Sequence, residues 1–272
     1  MKIGVISDLH IDANSKEQYT KKDFEEALAN ELVEQKVDLA LIAGDISNDH
    51  KLSYTFIKNV EKRINKKVLF VPGNHDYWDE VHDTKDTTLI LDYFKQKKEV
   101  LIEKPFIIND EWAIVGHSGW YDYTFADGRF SIDELSERNY NGRTWKDKLY
   151  TDWKVNDREL SRRFAEVVRQ DLEKVKNKKI ILMTHMVTNK NFAVKMPHKV
   201  FDYFNAFIGT SDFDELIENY PIVYTIMGHV HHRESESESG RTHICACLGN
   251  INEWKSNNLD LELKDAMQII HL

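Results

Sequence analysis

Asp, Asn and His recur in this 272-residue chain at five places where a run of apolar β-formers stops. Asp8-Leu9-His10 follows KIGVIS, Gly44-Asp45 follows DLALIA, and Gly73-Asn74-His75-Asp76 follows KVLFVP. Thr184-His185 follows KIILM, and Gly228-His229-Val230-His231 follows IVYTIM. These side chains offer carboxylate and amide oxygens and imidazole nitrogens, and none offers a thiolate. That donor set suits harder divalent metals (Mn²⁺, Fe or Zn²⁺) better than a thiolate-rich structural zinc site. A lone Asp or His at a strand end is ordinarily a turn former or a surface residue. Gly44, Gly73 and Gly228 suit tight turns on either reading. Chance placement must account for all five clusters at once, so the chain reads as a metalloenzyme.

The elements that must deliver these clusters alternate in type. Strands are expected at Lys2–Ile6, 38–43 and 67–71, with helices at about 21–35 and 52–64 between them. In the first helix Phe24, Leu28 and Leu32 recur at four-residue spacing. Such β-α-β-α-β order implies parallel neighbours joined by right-handed crossovers. Short β segments follow at 106–108 and 112–115, then an amphipathic helix at about 155–175. Strands 179–183 and Ile222–Met227 carry the last two clusters, with a loop and short helix between them. Further strands are expected at 242–248 and 267–271, and the acidic run at 235–239 reads as a solvated turn. Open α/β sheets bind ligands outside the carboxyl ends of their strands, where all five clusters would meet. The stretch 120–153 is aromatic and polar and lacks sustained periodicity, so it reads as an insertion capping the site. With no internal repeat and no Pro-rich linker, residues 1–272 are expected to form one domain.

Taken in order, D-x-H, G-D, G-N-H-D, T-H and G-H-x-H resemble the motifs of the calcineurin-like metallophosphoesterases. This is a dinuclear-metal superfamily of phosphatases, phosphodiesterases and nucleases, and the resemblance runs from Asp8 to His231. It implies an α/β fold in which mixed β-sheets pack as a central sandwich flanked by helices, an α/β/β/α arrangement. It implies two divalent ions, Mn, Fe or Zn, roughly 3.5–4 Å apart with an attacking hydroxide between them. By the same resemblance Asp45 bridges the ions, Asp8, His10 and His231 hold the first, and Asn74, His185 and His229 hold the second. His75 adjoins a ligand without being one, and its implied role is general acid or stabiliser of charge on the leaving oxygen. Two positions depart from the family pattern. Relatives often carry Asp where this chain has Asn48, followed by Asp49, and an amide lends His75 less charge support. Cyclic-nucleotide relatives commonly carry a second His and a Pro where this chain has Met186-Val187, which counts against cyclic nucleotides but leaves the ligand set whole.

Composition narrows the partners. The formal charge of -9 and pI near 5.8 argue against a non-specific nucleic-acid surface, which needs a basic footprint. No stretch approaches the roughly 20 apolar residues of a membrane span, and Asp8 interrupts the first apolar run too early for a secretory signal. Cys245 and Cys247, one residue apart, read as buried reduced thiols of a cytoplasmic protein. The expected partner is a small phosphate ester, and the aromatic stretch keeps nucleotide-like esters in view. A nuclease and a partner-binding scaffold are the other readings; the filled ligand positions favour catalysis. His117 also ends a strand, so it faces either the site or the core. Arg129 and Arg143 could clamp a phosphate, although solvation is the simpler role for charges in a polar loop. His50, His82, His198, His243 and His271 lack motif context, and His232 should point away from its neighbour His231.

Overall fold

Each polar cluster terminates a strand. The computed structural model describes residues 1–15, 18–82, 84 and 86–272. Its first strands are β1 (Lys2–Ile6), β2 (Leu39–Ile42), β3 (Lys67–Phe70), β4 (Phe106–Ile107) and β5 (Trp112–His117). A hairpin of β6 (Asn139–Tyr140) and β7 (Arg143–Thr144) lies within the 120–153 stretch. There follow β8 (Lys179–Thr184), β9 (Ile222–Met227), β10 (Arg233–Glu238), β11 (Arg241–Ala246) and β12 (Gln268–His271). One sheet has the order β12-β1-β2-β3 and the other β10-β11-β9-β8-β5-β4. The inner pairs β1/β2, β2/β3, β11/β9, β9/β8 and β8/β5 are parallel, whereas β12, β10 and β4 join antiparallel at edges.

Side-chain alternation along the strands builds the layers. Ile3, Val5, Leu39, Leu41 and Leu69 face Ile114, Ile181, Met183, Ile226 and Ile244 in the core between the sheets. The opposite parity, Ile6, Ala40, Ile42, Val68 and Phe70, packs with Phe24, Leu28, Leu32, Phe56 and Val60 of the helices Lys21–Glu34 and His50–Ile64. On the other outer face Ala113, Val115, Ile180 and Leu182 meet Val168, Leu172 and Val175 of the helix Asp157–Val175. The result is helix, sheet, sheet, helix, as the family resemblance implied. Because both faces of the inner strands are buried, they read as continuous apolar runs instead of alternating ones.

Local chemistry sets the helix starts. Thr20 and Asp23 form a capping box before Lys21–Glu34. The Asp49 carboxylate accepts from the amides of Lys51 and Leu52, so the second helix begins at His50, ahead of its apolar stripe. The two sheets are stitched together beside Asp8, where Ser7 N donates to Ala246 O and Leu248 N to Ser7 O, both at 2.9 Å.

One local reading needs correction. The 235–239 run lies mostly within β10, paired residue for residue with β11. Ser239-Gly240, at φ 53° and 79°, turns the chain between them as a hairpin pair. Both faces of this edge strand are largely exposed, so its side chains carry no apolar alternation to mark it. The 120–153 stretch contains, besides its hairpin, the helices Ile132–Ser136 and Asp147–Tyr150, which are too short for periodicity to show. Among the described residues, no helix is long and apolar enough to cross a membrane.

Candidate metal centre

Asp8, His10, Asp45, Asn74, His75, His185, His229 and His231 all lie in the loops that leave the carboxyl ends of β1, β2, β3, β8 and β9. Their side chains converge. Asp45 Oδ2 lies 3.3 Å from His185 Nε2, 3.8 Å from His10 Nε2 and 4.0 Å from His75 Nε2. His231 Nε2 is 3.1 Å from His10 Nε2 and 3.6 Å from Asp8 Oδ1. Three overlapping sets, Asp8/His10/His231, His10/Asp45/His75 and Asp45/His185/His229, each bring their donor atoms within 4.8 Å of one another.

The hydrogen bonds behind these groups decide which atoms face inward. His185 Nδ1 is 2.8 Å from the Ala43 carbonyl and His229 Nε2 is 3.1 Å from the Phe207 carbonyl. A carbonyl only accepts, so each of those nitrogens carries the hydrogen, and in the neutral ring the other nitrogen presents a lone pair. Asn74 Nδ2 donates to the Asp147 carboxylate at 2.9 Å, which turns Asn74 Oδ1 the other way. Three acceptors therefore confront one another: Asn74 Oδ1 is 2.9 Å from His229 Nδ1 and 3.1 Å from His185 Nε2, and the two nitrogens are 3.2 Å apart. Behind His231 the Glu253 carboxylate holds Nδ1 at 2.6 Å, leaving Nε2 to face His10 and Asp8. Acceptors crowded in this way need a positive centre among them, and the oxygen and imidazole donors suit a divalent cation.

Protons show the same demand. Burial pushes His185 down, but the Asp45 carboxylate outweighs it and raises His185 to about 10. Burial alone would raise Asp45, yet the imidazoles of His185, His75 and His10 hold it well below the usual carboxylate range. Burial and neighbouring His185 bring His229 down to about 4. A cation among these groups removes the need for the His185 proton.

The backbone is bent to deliver them. Asp8, His10, Asp45, His229 and His231 have φ of 54°, 43°, 55°, 74° and 54°, in the left-handed region that side chains other than Gly seldom adopt. Each such residue costs about 1–3 kcal/mol, which persists only where the surroundings over-determine it. Buried Asp76 is one such restraint. It accepts from Asp45 N at 2.7 Å, Ile46 N at 3.1 Å, Gly73 N at 2.8 Å and Ser53 Oγ at 2.6 Å, tying the second loop to the third. Burial and the Asp45 charge push its carboxyl up to about 7, against these donors. A Cβ on Gly73 would lie 2.1 Å from Asp45 Oδ1 and 2.6 Å from Asp45 N, so Asp45 cannot keep its place beside any other residue. Gly73→Ala is thus expected to cost about 1–3 kcal/mol, as overpacking does, and to displace Asp45. Denaturant unfolding and metal analysis check both effects, and wild-type values for both would contradict this packing argument.

His75 lines the same cavity of about 460 Å³, with Asn48, Trp78, Glu80, Trp145 and Lys146. Its Nδ1 is 2.8 Å from Asn48 Oδ1, its amide donates to Asp45 Oδ1 at 2.8 Å, and its ring lies 3.7 Å from that of Trp78. Burial holds its imidazole well below the usual range. His117 instead packs against Phe164, ring centroids 4.1 Å apart, is pushed down to about 3 by burial, and does not line the cavity. Arg129 pairs with Asp202 at 2.8 Å and Arg143 is exposed in β7, and neither lines the cavity. Trp120, Tyr121, Tyr123, Phe125 and Trp153 are buried in the core, so most of the aromatic stretch is packing. Sequence reasoning missed Asp147, Trp78 and Glu253, which touch the site through contacts that no local motif signals. Cys245 and Cys247 are buried and free.

A family model described as calcineurin-like phosphoesterase matches residues 1–233. No curated protein matches the chain. Among solved structures, a phosphopantetheinyl hydrolase from Mycobacterium tuberculosis aligns over 93% of this chain and 91% of its own, with TM-score 0.75 and 20% identity. A dimetal phosphatase from Danio rerio aligns over 90% of this chain and 86% of its own, with TM-score 0.51 and 16% identity. A putative 5'-nucleotidase from Staphylococcus aureus also gives TM-score 0.51 and 16% identity, over 92% of this chain and 48% of its own. At such identities the likeness is one of fold.

Proposed function

Because this chain belongs to the calcineurin-like phosphoesterase family, we propose that it hydrolyses a small phosphomonoester or phosphodiester at a centre of two divalent metals, Mn, Fe or Zn. The observation that carries this reading is the confrontation of Asn74 Oδ1, His185 Nε2 and His229 Nδ1 beside the buried Asp45 carboxylate. Asp45 would be shared between the ions, Asp8, His10 and His231 would complete one site, and Asn74, His185 and His229 would complete the other. Bound there, the cations supply positive charge for the phosphoryl oxygens and make water more acidic.

The chain's own residues do the rest. Two carboxylates, Asp8 and Asp45, leave the loaded centre positive, so it attracts an anionic ester, and Lys146 at the cavity adds to that field. Asn48 Oδ1 accepts from His75 Nδ1, so Nε2 addresses the cavity, and once an anionic ester beside it favours the protonated ring, Nε2 can hand a proton to the leaving oxygen. Trp78 and Trp145 give the cavity an apolar wall for the leaving group. Nucleotide-like esters fit such a wall. A phosphopantetheinyl ester is a further candidate, prompted by the first of the fold neighbours. The chain charge of -9 disfavours a nuclease, and the filled set of ligand positions disfavours a scaffold. One domain over 1–272 with an insertion at about 120–153, in a cytoplasmic protein, belongs to the same reading.

Metal analysis of the purified protein, followed by a panel of phosphomonoesters, phosphodiesters and cyclic nucleotides, tests it. The expected result is about two divalent ions per chain and hydrolysis of a small ester that stops on chelation and returns with Mn²⁺. A protein that takes up no divalent metal, or whose hydrolysis is indifferent to chelation, would overturn the reading.

A further inference from the structure

Asp147 opens the short helix Asp147–Tyr150 of the 120–153 stretch and is completely buried. Its Oδ1 accepts from Asn74 Nδ2 at 2.9 Å and from Trp78 Nε1 at 2.8 Å, and its Oδ2 accepts from Trp145 Nε1 at 2.8 Å. Each of the three partners reaches a side chain of the centre. Asn74 faces His185 and His229 through Oδ1. Trp78 lies on the His75 ring at 3.7 Å, and Trp145 meets the His229 ring at 5.7 Å.

We infer that Asp147 is the positioning residue through which the 120–153 stretch orients the metal centre, an inference that rests on the two-metal reading above. An amide side chain is nearly symmetric in shape, so packing alone does not choose which end faces the ligands. A carboxylate makes that choice, because it only accepts and so draws Asn74 Nδ2 toward itself. The amide oxygen is then left to point at the cation site. Partners that orient a ligand from behind commonly set metal affinity by about 10–100-fold. A carboxylate serving only to anchor the loop would be satisfied by the two indoles. Its bond to Asn74 goes further, to a side chain whose other end faces His185 and His229.

Isothermal titration of Mn²⁺ into chelator-stripped protein separates the possibilities. Asp147→Ala removes all three acceptor contacts and is expected to weaken one of two Mn²⁺ sites by about 10–100-fold while sparing the other. In Asp147→Asn the amide oxygen can still accept from Asn74 and Trp78, but its NH2 group confronts the Trp145 indole. Its affinity loss should therefore be smaller than that of Asp147→Ala. Tyr140→Ala loosens the same stretch where it stacks on Tyr203, away from the cavity, and should leave both affinities within about twofold, a shift well below the range for an orienting partner. If folded Asp147→Ala and Asp147→Asn bind two Mn²⁺ with wild-type affinity, Asp147 is only an anchor and the inference fails. It also fails if Tyr140→Ala weakens Mn²⁺ as much as Asp147→Ala does, because docking of the loop would then be the cause. Should Asp147→Ala not fold, Asp147→Leu, which keeps the side-chain bulk but offers Asn74 no acceptor, decides: wild-type affinity at both sites overturns the proposal, and a loss confined to one site supports it. Wild-type protein that binds no Mn²⁺ overturns the two-metal reading itself, a result distinct from two intact sites in the variants.

Discussion

Asp45→Ala is expected to abolish both metal retention and hydrolysis. Its carboxylate stands between the two halves of the centre, with Oδ2 3.3 Å from His185 Nε2 on one side and 3.8 Å from His10 Nε2 on the other. Both cations of the proposed centre lose an anionic partner when it is removed, and two like charges are left with nothing between them. Removing one partner of a buried charge pair costs about 3–5 kcal/mol, and each 1.4 kcal/mol is about tenfold in affinity. Metal binding should thus fall by roughly 10²–10³-fold or more. His10→Ala is the comparison that makes the result specific. It leaves Asp45, Asn74, His185 and His229 together, so one ion should remain bound. Elemental analysis of wild type, Asp45→Ala and His10→Ala, each checked for folding by circular dichroism, measures the difference. Equal metal content in wild type and Asp45→Ala would refute the shared role. A His10→Ala protein as empty as Asp45→Ala would show that the two sites fill only together.

The strand ends were legible because of how the inner strands are buried. β1, β2, β3, β8 and β9 have apolar contacts on both faces, so each appears as an unbroken apolar run that stops where the loop begins. Backbone strain and glycine contacts, such as the approach of Gly73 to Asp45, were not legible because they arise only when two loops meet. His117 shows how far strand parity reaches. It shares a face with Ala113 and Val115, which pack toward the helix Asp157–Val175, and two-residue alternation carries it onto Phe164 of that helix. Asp147 and Glu253 lie 73 and 22 residues from Asn74 and His231, the groups they hold, and no spacing rule connects them. Their orienting role depends on tertiary contact alone. β10 was hidden for the opposite reason: backbone pairing with β11 holds it, so its side chains are free to be polar.

His75→Ala is expected to keep both ions while turnover falls by roughly 10²–10⁴-fold, the usual range for a general acid. The side chain reaches the centre without being needed to fill it. Its Nε2 is 4.0 Å from Asp45 Oδ2, and its Nδ1 is engaged by Asn48 at 2.8 Å. Trp78 covers one face of the ring at 3.7 Å, so Nε2 has few directions open to it besides the cavity. If that nitrogen delivers a proton to the leaving oxygen, the size of the loss must depend on how badly the leaving group needs one. Nitrophenolate departs readily as an anion, so aryl esters should lose little. An alkoxide does not, so alkyl esters should show the full effect. Paired turnover measurements on aryl and alkyl esters, with metal content determined on the same preparation, decide the matter. Equal losses on both substrates with both ions in place would sink leaving-group protonation and leave His75 stabilising the phosphoryl oxygens, because that contribution is the same whatever group departs.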